Sequence, residues 1–499
     1  MSATHTLHLV KDKLKDPTLL RNTAFVGGEW VANKGRKLFD VCNPANNATI
    51  ESIGRSTTSD VNSAVRHAKI AGKHWASLLA SERSAVLQKW HDLMLEHQED
   101  LAYIMTTECG KPLSEAMGEV MYAASFFKWF AEEAKRVYGD TIPQTKPGQR
   151  ILVTKQPVGV AAIITPWNFP SAMITRKVGP ALAAGCSVVC KPSEDTPLTA
   201  LALAELGTRA GVPGGLFNVL VGSREDASTL GDALATHPEI RKLSFTGSTE
   251  VAKRLVEKSS GTMKRVSMEA GGNAPFIVFE DADIEKAIEG LVVCKFRNAG
   301  QTCVCANRIY VHDSVHDDFV EKLSKEAEVS LTVGDGTLPG VTMGPLINAK
   351  GVEKVKAHID NAVENGAEVV LGGEPIEILG DNFFAPTVLT GVTPDMACSI
   401  EETFGPVASV IRFNSEDEVI SMANNTKAGL AAYFYTKDLS RSFRVSEALE
   451  YGMVAVNEGV LSTEVAPFGG IKESGCGREG SKYGMDDYME IKYTLLGGI

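Results

Sequence analysis

The sequence predicts an α/β protein built on mostly parallel sheets, and two observations carry the prediction. Short apolar runs at 159–165, 187–191, 216–221, 242–245 and 276–279 are separated by helical stretches such as 197–210, and neighbouring parallel strands need crossovers of that length. A second cycle of the same kind follows between 282 and 461, with helices at 314–330, 350–365 and 416–424 and strands at 368–371, 387–392 and 407–413. At 499 residues the chain is about three ordinary domains long, so each cycle has room for its own core.

Each element has a local reason. From 59 to 110 the periodicity is helical: Asp60 stands where a cap is needed, ahead of Val61, Ala64, Val65, Ala68 and Ile70, and a second helix starts at Ser81 with Glu82 in its first turn. The strand runs are mainly apolar, as expected of strands covered on both faces. The segments 140–153 and 490–496 are strand-like but isolated, and an uncovered edge is a liability. The two are therefore expected to form an arm that adds to a partner's sheet.

Composition narrows the function. Asp and Glu (62) outnumber Lys and Arg (50), and the net charge of −12 works against nucleic acid or an anionic membrane as partner. The longest apolar stretch, 178–190, is interrupted by Gly179, Pro180, Gly185 and Ser187 and falls short of the ~20 residues of a spanning helix. Residues 1–17 have no signal-peptide core, and Asp12, Asp16 and the lack of Arg before Arg21 fit a mitochondrial presequence poorly, so a cytoplasmic location is expected. The nine cysteines, an odd number scattered through apolar runs, read as reduced thiols. The histidines form no HExxH, and no metal site is expected. Gly475-Cys476-Gly477-Arg478-Glu479-Gly480 matches the GxGxxG nucleotide pattern, but no strand precedes it and too little chain follows for a βαβ unit, so it reads as a glycine-rich turn.

Three segments carry residue types suited to catalysis. Cys303 follows the polar, glycine-containing stretch 297–302, where a backbone can approach a substrate, and is a candidate nucleophile. Glu269 precedes Gly271-Gly272 and a strand, and is a candidate base. Asn168 lies in Pro166-Trp167-Asn168-Phe169-Pro170 at the end of a strand, where its amide can donate to an oxyanion. Taken singly, each has a plainer reading: a buried thiol, a solvated carboxylate, a turn-former.

Taken together with KPSEDTP at 191–197, FTGSTEV at 245–251, MEAGGNAP at 268–275, GQTCVCANR at 300–308, EETFGPV at 401–407 and PFGGIKESGCGREG at 467–480, they place the chain close to a known pattern. In order and spacing it resembles the aldehyde dehydrogenase superfamily over about residues 24–495. The resemblance implies an aldehyde dehydrogenase-like α/β fold with a modified Rossmann cofactor domain (1–137 and 158–269), an α/β catalytic domain (270–475) and a β oligomerisation arm (138–157 and 484–499). It also implies roles. Cys303 attacks the aldehyde, the Asn168 amide and the Cys303 backbone N–H hold the oxyanion, Glu269 activates the hydrolytic water, and Lys177 lies near the active centre and the nicotinamide ribose. Lys191 and Glu194 hold the adenosine ribose, Gly247 and Ser248 bring a helix N-terminus to the pyrophosphate, Glu402 and Phe404 hold the nicotinamide end, and Thr165, Pro166, Trp167 and Ser193 complete the cofactor site. The charge of Glu194 would repel a 2′-phosphate, so NAD is expected in preference to NADP. A homo-oligomer, dimer or tetramer, is implied too.

The substrate is read from Arg176, Arg297 and Ser462, which by resemblance lie along the substrate tunnel and suit an anionic tail. With them the chain looks most like the succinate-semialdehyde dehydrogenases of the superfamily, which oxidise the semialdehyde left by 4-aminobutyrate transamination. The alternatives are glutarate semialdehyde, one methylene longer, and a broad range of aldehydes. A structural salt bridge is the plainer reading of either arginine. A non-catalytic binding or structural protein on the same fold is the reading from another class, and the intact set of Cys303, Glu269 and Asn168 argues against it.

Cys305 stands two residues after Cys303. In a strand such residues share a face, but a disulfide there requires the loop to distort. The resemblance implies that the pair is a redox switch. Peroxide is then expected to inactivate the enzyme reversibly while sparing Cys305→Ala, and equal sensitivity of the two in an activity assay would rule the switch out.

Overall fold

The computed structural model describes residues 10–499. The beginning of the expected first domain and of the segment read for a presequence, residues 1–9, lies outside the described residues. Two sheets form the body. The first has eight strands in the order Gly475–Cys476, Arg265–Glu269, Ile240–Thr246, Val160–Ile164, Ser187–Lys191, Phe217–Val219, Phe25–Val26 and Glu29–Trp30. Its five central strands are parallel. Val160–Ile164 and Ser187–Lys191 are buried at every residue, which explains the unbroken apolar sequence of the first and the apolar centre of the second, whose Ser187 and Lys191 stand at its ends.

From Val160–Ile164 the chain winds outward through Ser187–Lys191 to Phe217–Val219, then returns to add Ile240–Thr246 and Arg265–Glu269 on the other side. The strand order therefore reverses between Val160–Ile164 and Ile240–Thr246, and ligands of such sheets bind beyond the carboxyl ends at that crevice. Thr165 to Trp167 and Gly247–Ser248 are the residues that leave those two strands there.

The second sheet has seven strands, Glu368–Leu371, Thr387–Thr390, Val407–Phe413, Ala306–His312, Ala274–Val278, Ala431–Tyr435 and Met453–Val456, all parallel except the first. The strand expected at 276–279 thus belongs here, beside Ala306–His312 and Ala431–Tyr435, and not to the first run of crossovers. Arg265–Glu269, Ala306–His312, Ala431–Tyr435 and Met453–Val456 had no counterpart in the sequence reading.

The two isolated strands form a small sheet of their own. Met489–Gly497 pairs along its whole length with Gln149–Pro157, which in turn pairs with Asp140–Ile142. They satisfy each other within one chain, and the outer edges of Met489–Gly497 and Asp140–Ile142 pair with no further strand among the described residues.

Helix ends follow capping chemistry. The cap before Thr58–Ser77 is Thr57, and Asp60 returns the bond to the Thr57 N–H at 2.7 Å. Pro197–Ala210 begins on Pro197 and ends at left-handed Gly211, and its first free N–H groups, those of Leu198 and Thr199, donate to the buried Glu108 carboxylate at 2.8 and 2.7 Å. Leu113–Glu133 buries Phe126, Phe127 and Phe130 and packs against Ala172–Ala184, a helix buried at every position. These two helices carry the wall of the site described next.

The glycine-rich segment is a short turn of 3-10 helix, Lys472–Ser474, followed by the two-residue strand Gly475–Cys476, which pairs antiparallel with Met268 and Glu269. Gly475 has φ 132°, and an added Cβ would overlap the Met268 carbonyl. Gly475→Ala is therefore expected to displace the strand that carries Glu269. It should lower the thermal midpoint and cut kcat by about tenfold or more, a loss of at least ~1.4 kcal/mol in the rate-limiting step, measured by calorimetry and steady-state kinetics.

Candidate active site

The carboxyl edge of the first sheet faces the amino edge of the second. Thr165, Lys191, Gly247 and Glu269 lie at or just beyond the ends of strands in the first sheet, whereas Gly272, Cys303 and Glu402 lie just before Ala274–Val278, Ala306–His312 and Val407–Phe413 of the second. Asn168 ties the two. Its Nδ2 donates to the Gln301 carbonyl at 3.0 Å, and its own carbonyl accepts from Asn298 Nδ2 at 3.0 Å and from Lys111 Nζ at 2.7 Å. A side-chain amide has two N–H groups, so one remains for a ligand.

Cys303 is presented by a strained turn. The helix Ile284–Phe296 ends, Asn298 and Ala299 take φ 52° and 54°, and Gly300 sits so close to the Gly405 carbonyl that no side chain fits. The Cys303 N–H has no backbone acceptor among the described residues. Burial pushes the Cys303 thiol up to about 12, with Arg176 opposing and Glu402 and Glu269 adding to the rise. The thiol therefore needs a base. Glu269 is buried, neither of its carboxylate oxygens has a hydrogen-bond partner, and burial together with Glu479 raises it well above the ordinary carboxylate range.

Cys303 opens into a cavity of about 300 Å³ whose wall includes Arg176, Arg297 and Ser462. The structure thus brings together the nucleophile and all three residues expected to meet the substrate tail. The arginines differ, however. Arg176 is ion-paired through Nε to Glu479 at 2.5 Å and stacked at 3.9 Å on the Phe468 ring, so the plainer reading holds for part of this side chain. Its Nη2 is buried without a partner. Arg297 lies 5.3 Å from the Phe169 ring centroid and has no ion pair among the described residues.

Lys177 follows Arg176 on the same buried helix. It does not line the cavity: its ammonium pairs with Glu479 and donates to Ser244 Oγ at 3.0 Å. Its position at the centre of the first domain is buried, so its charge must be met there, and its influence on the site runs through the field at Glu269.

A wider cleft of about 1310 Å³ lies against Ser248, Thr249, Gly271, Gly272 and Glu402. Of the residues expected to hold a dinucleotide, Ser248 and Glu402 line it and the other eight do not; the first turn of Thr249–Ser259 offers its N–H groups there, and a side chain at Gly271 would crowd Glu402 Oε2 at 2.9 Å. Glu402 accepts from the Gly272 N–H at 3.1 Å, and burial raises its carboxyl to about 7. Trp167 and Phe404 meet edge to face, centroids 5.6 Å apart. Lys191 and Glu194 pair at 3.6 Å, the Thr165 N–H donates to the Lys191 carbonyl at 3.2 Å, and Ser193 Oγ accepts from the Asp195 N–H at 3.3 Å. Pro166 links this edge to Trp167. All nine cysteines are free thiols. Cys305 is buried, 3.2 Å from Lys295 Nζ.

Sequence reasoning missed Glu479, Lys111, Glu115 and Glu119. Glu479 stood inside the segment set aside as a turn, where its buried pairing with two consecutive cations was invisible. Against its own burial, Lys177 and Arg176 hold Glu479 below the ordinary carboxylate range. Lys111 and Glu119 form a second buried pair at 2.5 Å, and Glu119 also accepts from the Ser171 and Ala172 N–H groups at 2.9 and 3.2 Å, fixing the turn after Asn168. The one available signal was the i, i+4 spacing of Glu115 and Glu119 on a helix otherwise rich in apolar residues.

Removing Glu479 leaves two buried cations uncompensated, so Glu479→Gln is expected to cost about 3–5 kcal/mol of stability. Because Glu479 raises Glu269, its loss must lower the Glu269 carboxyl, and the acidic limb of the kcat profile should move to lower pH. Stopped-flow hydrolysis of the acyl-enzyme across pH 5–9, read beside thermal melts, checks both.

The chain matches the aldehyde dehydrogenase family model over residues 30–494. It is 57% identical to the NADP-dependent succinate-semialdehyde dehydrogenase of Escherichia coli K12, over 97% of this chain and 100% of that one. It is 56% identical to a glutarate-semialdehyde dehydrogenase of Pseudomonas aeruginosa, over 98% and 100%. The crystal structure of a succinate-semialdehyde dehydrogenase from Burkholderia pseudomallei superposes with a TM-score of 0.95 at 52% identity, covering 97% of this chain and 100% of that one. A family match over residues 30–494, with sequence and fold shared over nearly the whole length of these relatives, establishes that the chain belongs to the aldehyde dehydrogenase family.

Proposed function

We propose that the protein oxidises succinate semialdehyde to succinate with NAD as the preferred hydride acceptor. The observation that carries the substrate is the buried Arg176 Nη2 without a partner, in the Cys303 cavity beside Arg297 and Ser462. An unmatched buried guanidinium N–H is costly, and a carboxylate tail satisfies it. When bound, a nicotinamide dinucleotide supplies the hydride acceptor. Gly247, Ser248 and the helix start beyond them would hold its pyrophosphate, Lys191, Ser193 and Glu194 its adenosine side, and Thr165, Pro166, Trp167, Glu402 and Phe404 its nicotinamide side.

In this reading the Cys303 sulfur attacks the aldehyde carbon as its proton passes to the Glu269 carboxylate, which loses that proton to solvent before hydrolysis. The new oxyanion is held by the Cys303 N–H and the second N–H of the Asn168 amide, and losing one such donor typically costs about 10²- to 10³-fold in rate. Departure of hydride leaves a thioester on Cys303. Glu269, raised by burial, takes a proton from water, which attacks the thioester and releases the acid and the thiol. Lys177 and Glu479 set the field in which Glu269 titrates.

Glutarate semialdehyde is the second reading, supported by the Pseudomonas aeruginosa relative, because one methylene separates the two by only about 1–3 kcal/mol. NADP use is an alternative supported by the Escherichia coli relative, against which stands the carboxylate of Glu194 beside Lys191. A cytoplasmic location is part of the same proposal; among the described residues no helix is long and apolar enough to cross a membrane. Ile491, Tyr493 and Leu495 are exposed on one face of Met489–Gly497, which supports a homo-oligomer built through this sheet. The redox role of Cys303 with Cys305 stands as part of the same proposal.

Absorbance of the reduced cofactor reports the test. Succinate semialdehyde is expected to exceed butanal in kcat/KM, and Arg297→Ala to lose about 10- to 150-fold for the semialdehyde with little change for butanal. Equal rates for the two aldehydes, or equal losses in the variant, would remove the anionic-tail assignment.

A further inference from the structure

Five charged side chains line the Cys303 cavity: Lys111, Glu115, Glu119, Arg176 and Arg297. Two pairings engage three of them, Lys111 with Glu119 and Arg176 with Glu479, the latter through Nε with Nη2 left free for a ligand. Arg297 and Glu115 are left without an ion pair among the described residues. Glu115 is not idle, since its Oε2 accepts the Asn298 N–H at 2.8 Å, and Asn298 opens the left-handed turn that delivers Cys303. The helix Leu113–Glu133 thereby grips both halves of the oxyanion site. Glu119 holds the Asn168 turn and Glu115 holds the Cys303 turn, one helical turn apart.

We infer that Glu115 is a positioning and specificity residue of this cavity: it anchors the Cys303 turn through Asn298, and its carboxylate opposes the negative tail that Arg176 and Arg297 attract. The inference rests on the anionic-substrate reading above. The two parts of the role separate chemically. The anchor needs only an acceptor oxygen, which a glutamine also has; the opposition needs a negative charge, which a glutamine lacks. Discrimination between an anionic and a neutral aldehyde is therefore set by the balance of Arg297 against Glu115, rather than by cations alone.

The charge on Glu115 is adjustable. The groups that face it are Lys111 from the preceding turn, Glu119 one turn along its own helix, and Arg297 from the loop opposite, with Arg176, Tyr122 and Cys303 across the cavity. Burial is the largest influence and lifts the carboxyl to about 7, against the pull of Lys111, the Asn298 N–H and Arg297. Below that pH Glu115 is protonated and the tail meets only cations; above it the carboxylate is present and the tail is repelled. Preference for the anionic aldehyde should therefore fall as pH rises through about 7. Cys303, Glu269 and Glu402 act on both aldehydes alike and cancel in a ratio of kcat/KM values.

The experiment measures kcat/KM for succinate semialdehyde and for butanal at pH 6 to 8.5, in wild type, Glu115→Gln and Glu115→Ala, each as the full-length enzyme with saturating cofactor. In wild type the semialdehyde-to-butanal ratio is expected to fall about tenfold across this range. In Glu115→Gln the ratio should be flat and, at pH 8.5, about tenfold above wild type. In Glu115→Ala, which also loses the anchor, kcat should fall for both aldehydes while the ratio stays flat. A ratio in Glu115→Gln that follows the wild-type profile overturns the inference, whatever the variant's absolute rate. The wild-type preference itself tests the anionic-substrate reading separately: a wild type that prefers butanal removes that reading, and the change of ratio on Glu115→Gln still decides the role of Glu115.

Discussion

The hydrogen-bond knot at Asn168 is the constraint on which the rest depends. Its side chain reaches from the first sheet to the Gln301 carbonyl in the loop before Cys303, and its carbonyl is held by Asn298 of that same loop and by Lys111. An oxyanion site assembled from two separate units works only if their relative position is fixed to within a fraction of an ångström. A buried residue that donates to one unit through its side chain and accepts from it through its backbone carbonyl fixes it, because any slippage would leave those polar groups unmatched away from water.

That knot is buried, and so are the charges around it, which explains the arrangement of the neighbouring ion pairs. Lys111 meets Glu119, while Arg176 and Lys177 share Glu479. Each pair takes one partner from a helix wall and the other from a more distant stretch of chain or a later turn, so the pairs brace the site as well as neutralise it. The geometry also accounts for the opposite shifts of two carboxyls in one region. Glu479 has two cations in direct contact and is held down, whereas Glu269 has no hydrogen-bond partner and a negative neighbour, and is raised. One is fixed as a structural anion and the other is left free to carry a proton.

The strained turn at Asn298 and Ala299 and the close approach of Gly300 to Gly405 belong to the same logic. They aim the Cys303 thiol into the cavity while its N–H remains without a backbone acceptor, a conformation that an unconstrained chain would not adopt. The contacts of Asn298 with Glu115 and Asn168 hold it there.

The sequence by itself determined a good deal. The central strands Val160–Ile164, Ser187–Lys191 and Phe217–Val219 of the first sheet were legible because they are buried and mainly apolar, and the helices because their periodicity and caps are local. Cys303, Glu269 and Asn168 were legible because the ordered motifs around them cannot all be accidents of a stable fold. Other strands were not. Arg265–Glu269 and Ala306–His312 contain Arg265, Ser267, Asn307 and Arg308, polar residues that break the apolar pattern and are matched by partners far along the chain, such as the Asn273 carbonyl that accepts from Arg308. The same holds for the site. Only the tertiary structure decided that Arg176 is half committed to Glu479, that Lys177 stands outside the cavity, that the two isolated strands pair with each other, and that Lys111, Glu115 and Glu119 belong to the active centre. Each of these is a pairing between residues distant in sequence, and the cost of leaving a buried charge or an open strand edge unmatched becomes visible only once the chain has brought the partners together.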